Sequence, residues 1–290
     1  MTEIQSVQWF PGHMAKTRRK IQQSLKLVDI VAEIIDARIP VSSRNPVLKS
    51  IIGSKPKIVL LNKCDMADPA QTEKWVKKFK DEKVVAIPVD CKTGKGLNNL
   101  LPACKEVLKE QMAAWARKGM VGRPIKIMVV GIPNVGKSSL INKMCRGGNV
   151  GKADVQDRPG VTRENRWFTI GKGFELLDTP GVLWPKFEDQ LVGQRLAFTG
   201  AVKDEVLDIE GLACRFLEDV TKLYPNSVND RYKTEIENIE ELQGHEILEI
   251  IGKKRGMLIS GGEINTERAA ITVLDEFRSA KLGRITLEHV

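Results

Sequence analysis

Short apolar runs alternate with stretches of helical periodicity along the first 184 residues. A run of four to eight apolar residues is typical of a buried strand, whereas apolar positions with a 3.6-residue period are typical of an amphipathic helix. Their alternation predicts a three-layer α/β domain with a mostly parallel sheet, to which one hairpin adds an antiparallel edge strand. The predicted strands are 29–36, 57–61, 84–89, 126–130, 166–170 and 174–177, and the predicted helices are 14–26, 45–53, 69–81, 97–117 and 138–146.

The pattern changes after Pro185, where apolar positions recur only with a helical period. We therefore predict two domains, an α/β domain over 1–184 and a smaller all-helical domain over 185–290, with the boundary between 185 and 195. The helices predicted in the second domain are 190–201, 205–223, 239–251 and 265–280.

Composition narrows the class of protein. The chain is 42% apolar and 29% charged, which is typical of a globular protein. It contains no run of 18 apolar residues and no signal-peptide pattern, so we expect no membrane span. The five cysteines form no Cys-x-x-Cys pair, which disfavours a disulfide framework or a cysteine zinc site. The cytoplasm is the expected location, since it keeps thiols reduced.

Charge is unevenly distributed between the two predicted domains. Residues 1–184 hold 32 Lys and Arg against 17 Asp and Glu, a balance of +15, whereas residues 185–290 hold 14 against 20, a balance of −6. The basic part suggests a polyanionic partner such as RNA, although a generally basic surface would give the same count. The candidate contacts are 16–26, 143–166 and 253–255. Aromatic residues make up only 5%, which favours recognition of RNA backbone and shape over base stacking.

The sequence GIPNVGKS at 131–138 lies between a predicted strand and a predicted helix, as a phosphate-binding loop requires. Gly131 and Gly136 allow backbone N–H groups to turn toward phosphates, and the following helix points its positive end at the same place. Lys137 is expected to bridge the β- and γ-phosphates, and Ser138 to bind Mg²⁺. The predicted phosphate-binding residues are Asn134, Val135, Gly136, Lys137, Ser138 and Ser139.

The sequence NKCD at 62–65 follows the predicted strand 57–61, which places it at the carboxyl edge of the sheet. The Asp65 carboxylate can accept hydrogen bonds from N1–H and the 2-amino group of guanine, a pair that adenine lacks, so GTP and GDP are favoured over ATP. Lys63 can lie along the base plane, and Asn62 can tie this loop to the phosphate loop. A backbone contact to the guanine O6 is expected after strand 84–89. The predicted guanine-binding residues are Asn62, Lys63, Cys64, Asp65, Asp90 and Cys91.

Two further loops are predicted to sense the γ-phosphate. The sequence DTPG at 178–181 follows the last predicted strand, where Asp178 is expected to hold a water of the Mg²⁺ ion and the Gly181 N–H to contact the γ-phosphate. Thr162, in the sequence PGVT, lies between the phosphate loop and DTPG and is the candidate second hydroxyl on Mg²⁺. Each sequence alone could be an ordinary turn, but in this spacing they are similar to the two switch loops of a nucleotide hydrolase.

Taken together, the motifs resemble those of the translation-factor-like GTPases in a changed order, because the guanine motif precedes the phosphate loop. That order is a circular permutation. The sequences WFPGHM at 9–14 and DARIP at 36–40, with the helical tail, narrow the resemblance to the YlqF-type family of ribosome biogenesis GTPases. The resemblance covers essentially the whole chain. It implies a cytoplasmic P-loop GTPase that acts late in assembly of the large ribosomal subunit.

The resemblance also implies two roles that the motifs alone do not assign. Val182 stands where many GTPases have a water-positioning glutamine, and the family implies that His13 makes the catalytic contact instead. A histidine that only stabilises a turn is the alternative. Asn134 matches relatives that use a K⁺ ion as an extra positive charge near the phosphates, and a loop-stabilising amide is the alternative there.

The expected reaction is Mg²⁺-assisted attack of water on the γ-phosphate of GTP, stimulated by the ribosomal particle. The expected partners are the rRNA and ribosomal proteins of a late large-subunit precursor, bound in the GTP state and released after hydrolysis, with no membrane involved. A GTP-dependent RNA-binding scaffold with incidental hydrolysis is the alternative. An ATP-using P-loop enzyme is disfavoured by Asp65.

Overall fold

The described residues of the computed structural model form one six-stranded sheet. Its strands are β1 (Ile30–Asp36), β2 (Lys57–Asn62), β3 (Val85–Pro88), β4 (Ile125–Val130), β5 (Trp167–Thr169) and β6 (Phe174–Leu177). They are ordered β3-β2-β1-β4-β6-β5, and all neighbours are parallel except β5 and β6. The predicted α/β class with one antiparallel edge strand is confirmed. The structure describes residues 11–146, 166–171, 173–178, 189–202 and 208–290, and only the backbone of 11–17 and 146.

Strand β1 lies between β2 and β4, and all seven of its residues are buried. Asp36, its last residue, is the Cα partner of Asn62 on β2, and Glu33 is the partner of Val130 on β4. The carboxyl ends of these strands therefore meet at one edge of the sheet. This is the edge at which ligands bind in open parallel sheets.

The helices around the sheet largely follow the predicted pattern. On the basic first helix, Ile21 and Leu25 are buried against the core while Arg18 and Arg19 are exposed. Two helix predictions were wrong. The segment 239–251 is divided into a 3-10 turn over Ile239–Glu241 and a helix that begins at Gly244. The segment 97–117 is divided into a 3-10 turn and two helices that separate at Leu108. The second of these helices has no buried residue, so the apolar spacing continues beyond the part that packs into the core. The helices are α1 (Pro11–Leu25), α2 (Pro46–Ile52), α3 (Pro69–Asp81), α4 (Leu100–Val107), α5 (Lys109–Arg117) and α6 (Lys137–Arg146).

The described part of 189–289 is built from helices around an aromatic core. The Phe216 ring lies 5.4 Å from the Phe198 ring and 4.6 Å from the Phe277 ring, measured between centroids. One helix, over Asn226–Tyr232, was not predicted, because only two of its seven residues are buried and no apolar period can be recognised. The helices are α7 (Gln190–Phe198), α8 (Ile209–Leu223), α9 (Asn226–Tyr232), α10 (Gly244–Lys254) and α11 (Thr266–Arg278).

The chain divides into two compact units. Within the described residues, the first unit contains 11–65 and 70–178, and the second contains 66–69, 189–202 and 208–289. The short segment 66–69 belongs to the second unit although its flanking residues belong to the first. The described helices include none that is long and apolar enough to cross a membrane.

The segment 66–69 is held in the second unit by the end of the chain. The Ile285 N–H donates to the Met66 carbonyl over 3.1 Å, and the Asp68 N–H donates to Thr286 Oγ1 over 3.1 Å. The Tyr224 hydroxyl lies 3.0 Å from Asp68 Oδ2 and accepts from the Thr286 N–H over 3.2 Å. The chain end is thus a buried strap, since Thr286 is fully buried.

Candidate nucleotide-binding site

The loop between β4 and α6 has the backbone of a phosphate-binding loop. Asn134 and Gly136 have φ angles of +60° and +103°, in the left-handed region. Such residues turn successive backbone N–H groups toward a common anion. Helix α6 begins at Lys137, so its positive end lies at the end of the loop.

Lys137 is folded over its own loop. Its Nζ donates to the carbonyl oxygens of Gly131 and Ile132 over 3.1 and 2.8 Å. Burial lowers the pKa of Lys137 to about 8, while the charge of Asp178 opposes that decrease. A phosphate would be a stronger acceptor than two carbonyl groups, because both partners would then be charged. The ammonium group is therefore placed to exchange its carbonyl partners for phosphate oxygens.

Asn62 connects three loops at the carboxyl edge of the sheet. Its Nδ2 donates to the Val135 carbonyl of the phosphate loop over 2.6 Å, and its Oδ1 accepts from the Cys91 N–H over 2.9 Å. A Cβ atom on Gly136 would collide with the same Nδ2 atom. Glycine at 136 is therefore required by this side chain as well as by the backbone angle. The link that the sequence suggests between the guanine motif and the phosphate loop is present in the structure.

The next residues of the guanine motif differ in their surroundings. Asp65 is exposed, and its carboxylate has no hydrogen-bond or ion-pair partner among the described residues. It is thus accessible to a ligand. Lys63 has a left-handed φ of +60°, and its Nζ lies 2.9 Å from Asp36 Oδ2. The N–H of Cys64 donates to the Val89 carbonyl over 3.3 Å, which joins this motif to the end of β3.

The loop that begins at Asp90 is held by its own first side chain. The N–H groups of Lys92 and Thr93 donate to Asp90 Oδ1 over 2.8 and 3.3 Å. Burial would raise the pKa of Asp90, but these bonds and that from the Thr93 hydroxyl outweigh it and keep the pKa below its usual value. The structure gives Cys91 the hydrogen bond to Asn62, and the predicted backbone contact from this loop to guanine stays a prediction.

Oxygen ligands suited to Mg²⁺ lie next to the phosphate loop. The hydroxyl of Ser138 is in the first turn of α6, and Asp178 directly follows β6, where its N–H donates to the Arg166 carbonyl over 3.1 Å. The charge of Asp178 favours the protonated form of Lys137 in this loop and so opposes the decrease of its pKa. Hydroxyl and carboxylate oxygens are the ligands that Mg²⁺ prefers, so these residues fit the ion. In the residues that the structure describes, there is no cluster of three or more His, Cys, Asp or Glu side chains that could hold a metal by itself.

Known proteins that are similar to this chain are named as GTPases. Residues 126–253 match the family described as 50S ribosome-binding GTPase. Ribosome biogenesis GTPase A of Bacillus cereus is 47% identical over 284 residues, which cover 97% of this chain and 93% of the relative. The chain belongs to the ribosome biogenesis GTPase A family. The Thermotoga maritima protein of that name is 30% identical, with 97% of this chain and 94% of the relative covered.

A solved structure agrees with the fold of this family. The GDP-bound structure of YlqF from Thermotoga maritima is similar with a TM-score of 0.67 and 27% identity, covering 93% of this chain and 99% of the other. The protein is therefore a GTPase with a circularly permuted domain. Strand β2, which ends at the guanine motif, precedes strand β4, which leads into the phosphate loop. In the sheet, β1 lies between these two strands.

Several predicted residues cannot be placed. Thr162 and Gly181 lie outside the described residues, and His13 lies in the first turn of α1, where only the backbone is described. Most of the basic segment 143–166 also lies outside the described residues. In the segment 253–255, Arg255 lies 3.6 Å from a Glu276 oxygen and over the Tyr232 ring, so it contributes to the fold of the second unit.

Sequence analysis missed a cluster of charged side chains beside the guanine motif. Asp36 and Arg38 are almost fully buried, and Lys63 joins them. The available signal was a pair of charged residues at the end of an apolar strand, in the DARIP segment. Charged residues are rarely buried unless they are paired, so their position required the tertiary structure.

Proposed function

We propose that this GTPase acts in assembly of the large ribosomal subunit, binding a late precursor in the GTP state and leaving after hydrolysis. The observation that carries the nucleotide part is the Asn62 side chain, which fastens the guanine motif to the phosphate loop and to the loop after β3. The relatives named for ribosome biogenesis and the family described as 50S ribosome-binding GTPase support the ribosomal part. We expect the protein to act in the cytoplasm.

The charges support a partner that combines rRNA with ribosomal proteins. Arg18 and Arg19 are exposed on α1, as are Lys253 and Lys254 at the end of α10. Exposed cations attract a phosphate backbone and release its counterions. The negative balance of residues 185–290 makes uniform wrapping of RNA by the second unit unfavourable, so ribosomal proteins are the other expected contacts.

In the proposed site, Asp65 reads the guanine base and Lys137 contacts the β- and γ-phosphates. Ser138 and Asp178 would hold Mg²⁺ together with Thr162, while Asn134 would contribute to a K⁺ site. Bound Mg²⁺ neutralises charge that develops on the phosphate oxygens. His13 would orient the attacking water, since a neutral imidazole can accept a proton from water.

Co-sedimentation tests the proposed binding cycle. The protein is mixed with purified large-subunit precursors in the presence of a non-hydrolysable GTP analogue, GDP or no nucleotide, and the bound fraction is measured. We expect tight binding only with the analogue. The logarithm of the binding constant should fall linearly with the logarithm of the salt concentration, because binding to RNA releases counterions. Equal binding with GDP and with the analogue would contradict a GTP-dependent cycle.

Turnover separates this cycle from an RNA-binding scaffold with incidental hydrolysis. Multiple-turnover GTP hydrolysis is measured with and without the precursor particle. Stimulation by the particle supports the assembly factor, because docking would then complete the catalytic site. An unchanged rate would favour the scaffold.

The proposed role of His13 has its own test. His13→Ala should retain GTP affinity but lower single-turnover hydrolysis on the particle by about 10²–10⁴-fold, as removal of an acid–base group does. His245→Ala is the matched control, because this histidine is exposed in the first turn of α10. Hydrolysis by His13→Ala at the parental rate would show that the histidine is structural.

A further inference from the structure

We propose that Asp36 is a positioning residue for guanine-nucleotide binding, whose buried carboxylate fixes the ammonium group of Lys63 beside the base site. This inference rests on the proposed role of the 62–65 motif. Asp36 would not touch the nucleotide itself. It would act through Lys63, while Arg38 balances its charge and limits its movement.

The geometry places Asp36 directly next to the guanine motif. Asp36 ends β1 opposite Asn62, the last residue of β2, so Lys63, the residue that follows β2, lies within reach of its side chain. Asp36 Oδ2 lies 2.9 Å from Lys63 Nζ. Arg38 Nε donates to Oδ1 over 2.9 Å and its Nη2 donates to Oδ2 over 2.7 Å, so the carboxylate has a two-pronged partner on one side and Lys63 on the other.

Two of the three side chains are buried and the third is partly exposed, as expected if the buried pair holds the exposed one in place. The side chains of Arg38 and Asp36 are 1% and 3% exposed, whereas that of Lys63 is 22% exposed. Burial would raise the pKa of Asp36, but the charges of Arg38 and Lys63 outweigh it and hold the pKa well below its usual value. The carboxylate therefore stays ionised at neutral pH. Its Arg38 bond is inside the protein, and the Lys63 chain leads from it toward solvent.

The turn that carries Asp36 is itself held by hydrogen bonds. The Asp36 N–H donates to Ser43 Oγ over 3.0 Å, and the Ser43 hydroxyl donates to the Ile39 carbonyl over 2.7 Å. The Ala37 N–H donates to the Asn62 carbonyl over 2.8 Å, which extends the β1–β2 ladder to the guanine motif. Hydrogen bonds therefore hold the backbone at Asp36 and at Ala37, which fixes the position from which the Asp36 carboxylate extends.

A fixed Lys63 has a physical advantage for ligand binding. A free lysine side chain has several rotatable bonds, and ordering it costs conformational entropy. Lys63 also has a left-handed backbone, a conformation that non-glycine residues adopt only when neighbouring contacts hold them. Asp36 orders this side chain before the nucleotide arrives, so binding does not have to supply that ordering. The methylene groups of Lys63 can then lie against the base plane.

A double-mutant cycle tests this role. The Kd of fluorescent GDP is measured for the parent, Asp36→Asn, Lys63→Met and the combination of both. A lost charge-assisted hydrogen bond should weaken binding by about 10–100-fold in Asp36→Asn. If Asp36 acts through Lys63, the same change in the Lys63→Met background should alter the Kd by less than about threefold. An equally large effect in both backgrounds, or no effect in the parent, would overturn the proposal.

Folding has to be separated from positioning, because removing one member of a buried ion pair leaves the other charge uncompensated. The variant Asp36→Asn with Arg38→Met removes both charges and should fold while still lacking the anchor for Lys63. It should show the same weakened GDP binding, whereas parental affinity in this folded variant would overturn the proposal. Glu33→Gln is the matched control, since Glu33 is also buried on β1 but pairs with Arg44 over 3.1 Å, and its Kd should stay within about twofold of the parent.

Base selectivity provides a second readout. If Asp36 acts through the Lys63 side chain, its replacement should raise the Kd of GDP and the Kd of XDP by the same factor. The reason is that the Lys63 side chain would contact the plane of the base and not its hydrogen-bonding edge. A shift of preference toward XDP would mean that Asp36 acts on Asp65, and would overturn the proposal. Failure of the parent protein to bind GDP would instead refute the proposed function, so the two failures are distinguishable.

Discussion

Replacing Asn62 with alanine is the most informative perturbation of the candidate site. The Asn62 amide is buried and makes one hydrogen bond to Val135 and another to Cys91. Both partners are themselves only 2% exposed. In Asn62→Ala, the Val135 carbonyl and the Cys91 N–H would lose their bonds to this amide in a place that water reaches poorly.

The magnitude follows from those two groups. Each buried polar group left without a partner costs about 1–3 kcal/mol, so the two together give about 2–6 kcal/mol. A domain is typically stable by only about 5–15 kcal/mol, so the loss is a large fraction of the total. Part of it should appear as reduced nucleotide affinity, because the same bonds hold the guanine and phosphate loops together. Asn62→Asp should be intermediate, since its second oxygen would face the Val135 carbonyl but the acceptor for Cys91 would remain.

Two assays measure the two parts. Urea denaturation gives the change in the free energy of unfolding, and titration with fluorescent GDP gives the change in Kd. Asn98→Ala is the matched control, because Asn98 is exposed in the turn before α4, and it should change neither quantity measurably. An Asn62→Ala protein with parental stability and parental Kd would refute the view that this amide connects the loops.

Three further predictions concern base choice, pH and the chain end. Asp65→Asn should weaken GTP binding and shift the GTP-to-XTP preference by about 10–100-fold, measured by competition, because an amide mismatches guanine; an unchanged preference would remove Asp65 from the base site. The Kd of GDP should be constant below about pH 7 and rise up to tenfold per pH unit above about pH 8. The reason is that free Lys137, whose pKa burial lowers to about 8, must regain a proton to bind a phosphate, and a flat profile would contradict this. Tyr224→Phe should lower the free energy of unfolding by about 1–3 kcal/mol in urea titration, since its hydroxyl contacts Asp68 and Thr286, and an unshifted midpoint would show that these bonds add nothing.

Local sequence patterns are enough to predict the strands of the first unit and to identify the phosphate loop. Strand β1 is a nearly continuous apolar run, which is typical of a strand buried on both faces in a parallel sheet. The sequence GIPNVGKS can be recognised from local spacing, because its glycines permit the tight turn and it leads directly into a helix. The link between Asn62 and the phosphate loop could also be anticipated from the motif pair.

The distant residues that support these motifs could not be predicted from local patterns, because the fold brings them together. Asp36 and Lys63 are 27 positions apart, and the β1–β2 register brings them together. The segment 66–69 reads as an ordinary loop, yet hydrogen bonds from the chain end more than 200 residues later hold it in the second unit. Helix α9 has no apolar period, and it exists because Val228 and Tyr232 find buried places. Periodicity records which side of an element is apolar, whereas strand register and the packing of remote segments depend on contacts that no local window contains.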